Sequence, residues 1–160
     1  MLDLAIITQK LLVGTQIRTG EDLDTLRSLG VTGILSLQED ADHAGSGTRK
    51  DVIDRLATER QMELRRCPIV DFDPADLLAK LDRVMGILSD LLADNRRVYV
   101  HCTAGINRST GVVLAYLVLR QGMTVDGAYR LIKSRRPQAN PYQALLQTLA
   151  NRGRAETPRE

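Results

Sequence analysis

The chain has 160 residues, of which 43% are hydrophobic and 26% charged, which is typical of one globular domain with a substantial core. Its formal net charge of +2 is too small to favour nucleic acid or an anionic membrane as a partner. We therefore expect an enzyme or binding module that contacts neither.

The cysteine and histidine counts bear on compartment and metal binding. Two cysteines do not provide a disulfide framework, which favours a reducing, cytoplasmic location. Two histidines argue against a zinc site, so we expect no metal. The N-terminal segment has no basic region and no small-residue cleavage site, and no apolar run is long enough to span a bilayer.

The first half of the chain alternates short apolar segments with amphipathic ones. "LAIITQKLLVG" predicts two short strands, and "EDLDTLRSLG" predicts a helix closed by Gly30. "VTGILSLQ" predicts an apolar strand. "EDADHAGSG" predicts a polar loop, which leads into a helix over about residues 49–61.

The second half repeats the alternation. "ELRRCPIV" predicts a strand, and the turn "DFDP" places Pro74 in the first turn of a helix. Leucines at helical spacing continue that helix to about Ala93. "RVYVH" is the most buried-looking strand, and three helices follow, near residues 109–121, 125–135 and 141–151.

This alternation predicts an α/β fold with a central, mostly parallel sheet and helices on both faces. We expect a single domain over residues 1–151, followed by a frayed tail over residues 152–160.

The most informative stretch is "VYVHCTAGINRSTG", because it places Cys102 at the carboxyl end of the strongest strand. The loop after it feeds a helix that begins near Arg108, so backbone N–H groups converge where an anion would sit. Gly105 allows a conformation that a side chain resists. In that field Cys102 is expected to be a thiolate, and Arg108 offers a planar fork for phosphate oxygens. The candidate phosphate-binding residues are Thr103, Ala104, Gly105, Ile106, Asn107 and Arg108.

Three neighbouring features have simpler interpretations. His101 is expected to hold the loop backbone by hydrogen bonds rather than to transfer protons. Cys67 is expected to fill the core, although a redox partnership with Cys102 remains open. "KSRRP", residues 133–137, suits the end of a helix, although it could also attract an anionic substrate.

The arrangement H-C-x5-R-S, from His101 to Ser109, resembles the active-site signature of the cysteine-dependent phosphatases, the protein tyrosine phosphatase superfamily. A rhodanese is the alternative, but its loop is normally shorter. The resemblance implies that Cys102 attacks phosphorus and forms a phosphocysteine without metal or cofactor. It also implies that Ser109 hydrogen-bonds the thiolate and helps it leave.

Such chemistry needs a carboxylic acid to protonate the leaving oxygen. In dual-specificity phosphatases this acid lies on a loop about thirty residues before the cysteine, where it acts as acid and then base. Asp71 lies 31 positions before Cys102, and Asp73 lies 29 before it. Asp73 is expected to cap a helix, and Asp76 to face the helix dipole. Asp71 is therefore the predicted acid, and Asp73 is the alternative.

The length of the chain resembles that of the small dual-specificity branch, which implies a shallow pocket open to phosphotyrosine, phosphoserine and phosphothreonine. Within it, the pattern is most similar to the plant glucan phosphatases and other laforin relatives, on "VGTQIRTGEDLDTLRSLGVTGILSLQEDAD" and "DFDPADL". Phe72 is then the aromatic beside the site, where it contacts substrate, and core packing is the alternative for this single phenylalanine. However, "DADHAGSG" and Ala75 lack the aromatics that those enzymes carry.

We therefore expect a metal-free dual-specificity protein phosphatase. A phosphoglucan phosphatase is the alternative, and a catalytically silent phospho-binding module is a minor one. Phosphoprotein, phosphoglucan and phosphoinositide all remain open as substrates.

Overall fold

The fold is built on one five-stranded sheet with the strand order β1-β2-β5-β3-β4. The computed structural model describes the backbone of residues 1–155 and the side chains of residues 1–152. Only the β1–β2 pair is antiparallel, and the other three pairs are parallel. The strands are β1 (Leu4–Ile6), β2 (Leu11–Gly14), β3 (Val31–Ser36), β4 (Glu63–Arg66) and β5 (Arg97–His101).

Helices cover both faces of this sheet, which confirms the predicted fold class. Side chains of successive strand residues point to opposite faces, so Leu12, Ile34 and Tyr99 lie in one core while Val13 and Val100 lie in the other. The first core is covered by α1 and α3, and the second by α4 to α8. The helices are α1 (Gly20–Ser28), α2 (Asp40–Ser46), α3 (Lys50–Glu59), α4 (Pro74–Ala79), α5 (Leu81–Leu92), α6 (Arg108–Leu119), α7 (Val125–Arg135) and α8 (Gln143–Ala155).

The segment predicted as a polar loop, "EDADHAGSG", instead contains helix α2. The backbone N–H of Glu39 donates to Asp42 Oδ2 at 2.8 Å, which fixes the first turn. Gly47 ends the helix in the left-handed conformation, with φ 68°. The expectation of a loop was wrong because these local caps outweigh the low helix propensity of the segment.

Smaller differences concern element boundaries. The single helix predicted up to Ala93 is broken at Lys80, whose ammonium donates to the carbonyl of Pro68 at 2.6 Å. Strand β4 ends at Arg66, before Pro68, which has no N–H to donate. The last helix continues to Ala155, past the predicted boundary at residue 151. The rest of the predicted tail, residues 156–160, lies outside the described residues.

The topology determines where a ligand can bind. Strand β5 lies between β2 and β3, and all three run parallel, so their carboxyl ends meet at one edge. The polypeptide leaves β5 at His101 and enters α6 at Arg108. Within residues 1–155, no helix combines the length and apolar character needed to cross a bilayer.

Candidate active site

The loop that joins β5 to α6, residues 102–108, is called the cradle loop here. Most of its carbonyl oxygens accept hydrogen bonds from donors outside the loop. The Thr103 carbonyl accepts from the Gln16 N–H at 3.1 Å, and the Ile106 carbonyl accepts from the Asn140 N–H at 2.7 Å. Carbonyls held outward leave the N–H groups of the same peptides facing inward, which produces the predicted anion site.

Arg136 supplies a second set of these outer contacts. Its side chain is only 2% exposed, and its Nε donates to the Gly105 carbonyl at 2.7 Å. Its Nη2 donates to the Ala104 carbonyl at 3.3 Å, and its Nη1 forms an ion pair with Asp3 Oδ1 at 3.1 Å. The segment "KSRRP" therefore does more than end a helix, because its second arginine, Arg136, stabilises the cradle loop by binding its outward-facing carbonyl oxygens.

Gly105 is required where the cradle loop passes β2. Its φ of +67° lies in the left-handed region, and a Cβ there would come within 2.5 Å of the Gly14 backbone. A side chain at this position is therefore excluded by both conformation and space.

His101 holds the loop at its start, as predicted. Its ring is 2% exposed, stacks on Tyr99, and has Nδ1 3.0 Å from the Cys102 carbonyl. Since a carbonyl only accepts, Nδ1 carries the proton. Burial lowers the pKa of His101 to about 4, so the ring is neutral at pH 7.

Cys102 lies at the base of the cradle with its thiol sulfur facing the loop. The Gly105 N–H donates to Sγ at 3.3 Å, and Ser109 Oγ lies 3.3 Å from Sγ. The residue is 3% exposed and forms no disulfide. The backbone N–H and the hydroxyl are both placed to stabilise negative charge on this sulfur.

Arg108 is 1% exposed, yet part of its guanidinium has no hydrogen-bond partner. Nη1 donates to Asp42 Oδ2 and to the Ile69 carbonyl, both at 2.9 Å, and Nη2 donates to Asp42 Oδ1 at 2.9 Å. A guanidinium has five N–H groups, so the free ones are Nε–H and one on Nη2. These two form one edge of the fork, the geometry that binds two phosphate oxygens.

Asp42 fixes the orientation of that fork. Its carboxylate accepts both bonds from Arg108 and a third from the Thr103 hydroxyl at 2.8 Å. Burial alone would raise the pKa of Asp42, but these bonds and the Glu39 N–H lower it to about 2. Asp42 therefore stays ionised and neutralises Arg108 on the side away from the free edge.

The three aspartates before α4 occupy different positions. Asp73 accepts from the Asp76 N–H at 3.0 Å and so caps α4, as predicted. Asp76 accepts from the Val70 N–H and from Lys80 Nζ, both at 2.8 Å. Asp71 has Oδ1 3.2 Å from Arg108 Nε, at an angle unsuited to a hydrogen bond. Of the three, Asp71 is the one placed beside the cradle.

Residues 70–73, called the acid loop here, expose apolar side chains around Asp71. Phe72 is 80% exposed and Val70 is 40% exposed. Phe72 also has a φ of 57°, which is uncommon for a residue with a side chain. Behind the loop, the buried Tyr142 hydroxyl has no hydrogen bond of good geometry. Burial raises the pKa of Tyr142, and the charge of nearby Asp71 raises it further.

The sequence matches a known protein family over most of its length. Residues 13–154 match the family described as "Dual specificity phosphatase, catalytic domain". The chain belongs to this family. Both the cradle loop and the acid loop fall inside the matched region.

Two curated relatives and one solved structure illustrate the similarity. The chain is 39% identical over 132 residues to a phosphoglucan phosphatase DSP4 of Castanea sativa, covering 81% of this chain and 35% of that protein. It is 31% identical over 117 residues to dual specificity protein phosphatase 12 of Rattus norvegicus, covering 72% and 31%. The crystal structure of PTPMT1 in complex with PI(5)P superposes with a TM-score of 0.78 at 21% identity, covering 95% and 98%. The chain thus spans about a third of the length of these two curated relatives.

Two residues of this dual specificity phosphatase domain escaped prediction, Asp42 and Arg136. A signal for Asp42 was available, since a buried arginine needs a carboxylate and "EDAD" follows the strand adjacent to β5. Arg136 gave no signal, because its contact with Gly105 spans 31 positions. Cys67 is fully buried and unpaired, as expected of core packing, and burial raises the pKa of its thiol. Among the described residues, no cluster of His, Cys, Asp and Glu is suited to hold a metal ion.

Proposed function

We propose that the chain hydrolyses phosphomonoesters through a phosphocysteine, as a dual-specificity protein phosphatase. The observation that carries the proposal is the free edge of Arg108, a buried guanidinium edge whose Nε forms no hydrogen bond and has only the Asp71 carboxylate near it, at 3.2 Å. A buried donor pair of this kind is costly unless a ligand binds it. A phosphoryl group is the ligand that its geometry fits.

The first step transfers the phosphoryl group to sulfur. Cys102 Sγ forms the new bond to phosphorus as the bond from phosphorus to the leaving oxygen breaks. Asp71, in its acid form, gives its proton to that oxygen, so that an alcohol or phenol departs. The N–H groups of the cradle loop and the free edge of Arg108 stabilise the equatorial oxygens.

The second step releases phosphate. Asp71, now a carboxylate, takes a proton from water as the water oxygen attacks phosphorus and the phosphorus–sulfur bond breaks. The Ser109 hydroxyl, 3.3 Å from Sγ, stabilises the thiolate that leaves. The enzyme then returns to its starting protonation state.

A phosphoglucan is the second candidate substrate, and two observations favour it. The Castanea sativa relative is a phosphoglucan phosphatase. In addition, Phe72 presents an exposed ring beside Asp71, and sugar rings stack on such faces. Against it, α2 offers no aromatic side chain, which leaves a phosphoprotein as the favoured substrate.

The test is phosphate release by the wild-type chain and by Cys102→Ser, first with para-nitrophenyl phosphate. We expect the variant to lose turnover completely while its circular dichroism spectrum and melting temperature stay close to wild type. Retained turnover in the variant would rule out the phosphocysteine mechanism. A panel of a phosphotyrosine peptide, a phosphoserine peptide, phosphorylated amylopectin and a phosphoinositide then ranks the substrate classes. The single-domain organisation, a cytoplasmic location and the absence of nucleic-acid and membrane partners stay predictions.

A further inference from the structure

A groove lies next to the cradle loop and is lined by both polar and apolar side chains. It has a volume of about 680 Å³, and it is lined by Asp3, Gln16, Arg18, Thr19, Asp22 and Thr103, among others. Two smaller cavities lie alongside α2, and Arg18 lines both of them as well. Since Thr103 belongs to both the groove and the cradle loop, the groove adjoins the candidate active site.

Arg18 is an exposed cation in this groove. Its side chain is exposed, and among residues 1–152 no carboxylate forms an ion pair with it. Glu21 also lines the groove without an ion pair to any described side chain, whereas the other nearby carboxylates already have partners. Asp22 accepts from the backbone N–H groups of Arg18 and Thr19, and Asp42 holds Arg108.

The position of Arg18 is tied to the cradle loop through Gln16. Arg18 Nε and Nη2 lie 3.1 and 2.9 Å from the Gln16 side-chain amide, whose oxygen accepts both bonds. Gln16 is 8% exposed, and its backbone N–H donates to the Thr103 carbonyl at 3.1 Å. These bonds use two of the five guanidinium N–H groups, so three remain available to a ligand. A cation restrained in this way loses less conformational entropy on binding than a free surface arginine.

We propose that Arg18 is a specificity-determining residue that binds a second anionic group on the substrate, a carboxylate or phosphate close to the scissile phosphate. This inference rests on the proposed protein phosphatase function. It predicts a preference for phosphopeptides with acidic or phosphorylated residues beside the target residue. Because the groove is open to solvent, the preference is modest and weakens as salt is added.

The test compares kcat/KM for phosphotyrosine peptides that differ only in flanking residues: alanine, glutamate, phosphoserine or lysine. For the wild type we expect the glutamate peptide to exceed the alanine peptide about fivefold, the phosphoserine peptide to exceed it by at least as much, and the lysine peptide to fall below it. Arg18→Ala should abolish these differences through KM, while Arg18→Lys should keep part of them. Arg27→Ala, at an exposed position of α1 outside the groove, is the matched control and should behave as wild type.

Para-nitrophenyl phosphate, which has no flanking group, separates specificity from support of the cradle loop. Arg18→Ala should leave its hydrolysis unchanged, and an equal loss on all substrates would overturn the inference. The inference about Arg18 would also be overturned if the wild type had the same kcat/KM for all four peptides. In that case, hydrolysis of the peptides would still support the proposed function. Hydrolysis of para-nitrophenyl phosphate and amylopectin phosphate but of no peptide would overturn both.

Discussion

The cradle loop and the acid loop meet at Arg108, but the fold holds them in different ways. In the cradle loop, successive carbonyl oxygens accept hydrogen bonds from donors outside the loop. These donors belong to His101, Gln16, Arg136 and Asn140. In the acid loop, Phe72 is 80% exposed and the Asp71 side chain is 35% exposed. The electrostatic part of the site is therefore built before substrate arrives, while Asp71, the proposed proton donor, lies on a more exposed segment.

This difference has a chemical reason. Stabilising charge on equatorial oxygens requires donors that do not reorganise during the reaction, which a fully bonded loop provides. Proton transfer instead requires one carboxyl group to face a leaving oxygen and then a water, and an exposed loop accommodates both. Substitutions in the two loops should therefore affect stability and rate separately.

After the complete loss expected for Cys102→Ser, the largest expected effect on rate comes from Asp71→Asn. With a poor leaving group, such as phenyl phosphate, kcat/KM, which reports the first step, should fall by about 10²–10⁴-fold because the departing oxygen receives no proton. With para-nitrophenyl phosphate the loss should be much smaller, and the melting temperature should not change. Equal losses in kcat/KM with the two substrates would show that Asp71 is not the acid. Asp73→Asn is the comparison variant.

Asp42→Ala should instead damage both stability and rate. It leaves the Arg108 guanidinium buried without its counter-charge, which costs about 3–5 kcal/mol in the free energy of unfolding. The loss of a fixed fork should lower kcat by about 10²-fold. Urea unfolding and steady-state kinetics measure the two effects.

Asp40→Ala is the matched control for that experiment, because Asp40 lies on the same helix with its side chain 89% exposed. Its solvent-exposed pair with Lys50 should contribute little to the free energy of unfolding. If both variants lose the same stability, the buried Asp42–Arg108 pair does not have the role assigned to it.

The smallest of these effects is on the pH dependence of stability, through His101. Its pKa is about 4 in the folded chain against an ordinary value of 6.5. Between these pH values the unfolded chain binds more protons, so stability is full above pH 6.5 and falls as pH drops toward 4. From pH 7 to pH 5 the protonation of His101 in the unfolded chain should lower the free energy of unfolding by about 2 kcal/mol.

Urea titrations at several pH values measure this slope, and His101→Gln should flatten it. Burial also lowers the pKa of His43, which adds a contribution of the same sign. Asp42 adds none in this range, since its pKa is about 2. An unchanged slope in the His101 variant would show that another group titrates.

Local pattern was enough to predict the sheet, the helices on its two faces and the cradle loop, because each depends on residues close in sequence. Pro74 also indicated the helix cap at Asp73, whereas the acid role of Asp71 came from the resemblance to dual-specificity phosphatases and stays a prediction. Local pattern did not predict α2, whose Asp42 both caps the helix and binds Arg108, 66 positions away. Contacts of that span are set by the order of strands, which periodicity does not specify.

The most direct test of the account is to trap the phosphorylated enzyme. Asp71→Asn lacks the base of the second step, so with para-nitrophenyl phosphate, whose first step needs little acid help, the intermediate should accumulate. After rapid mixing and quenching in alkaline denaturant, peptide mass spectrometry should find one phosphoryl group on Cys102. A variant that still turns over while its phosphoryl group lies on another residue, or on none, would contradict the account.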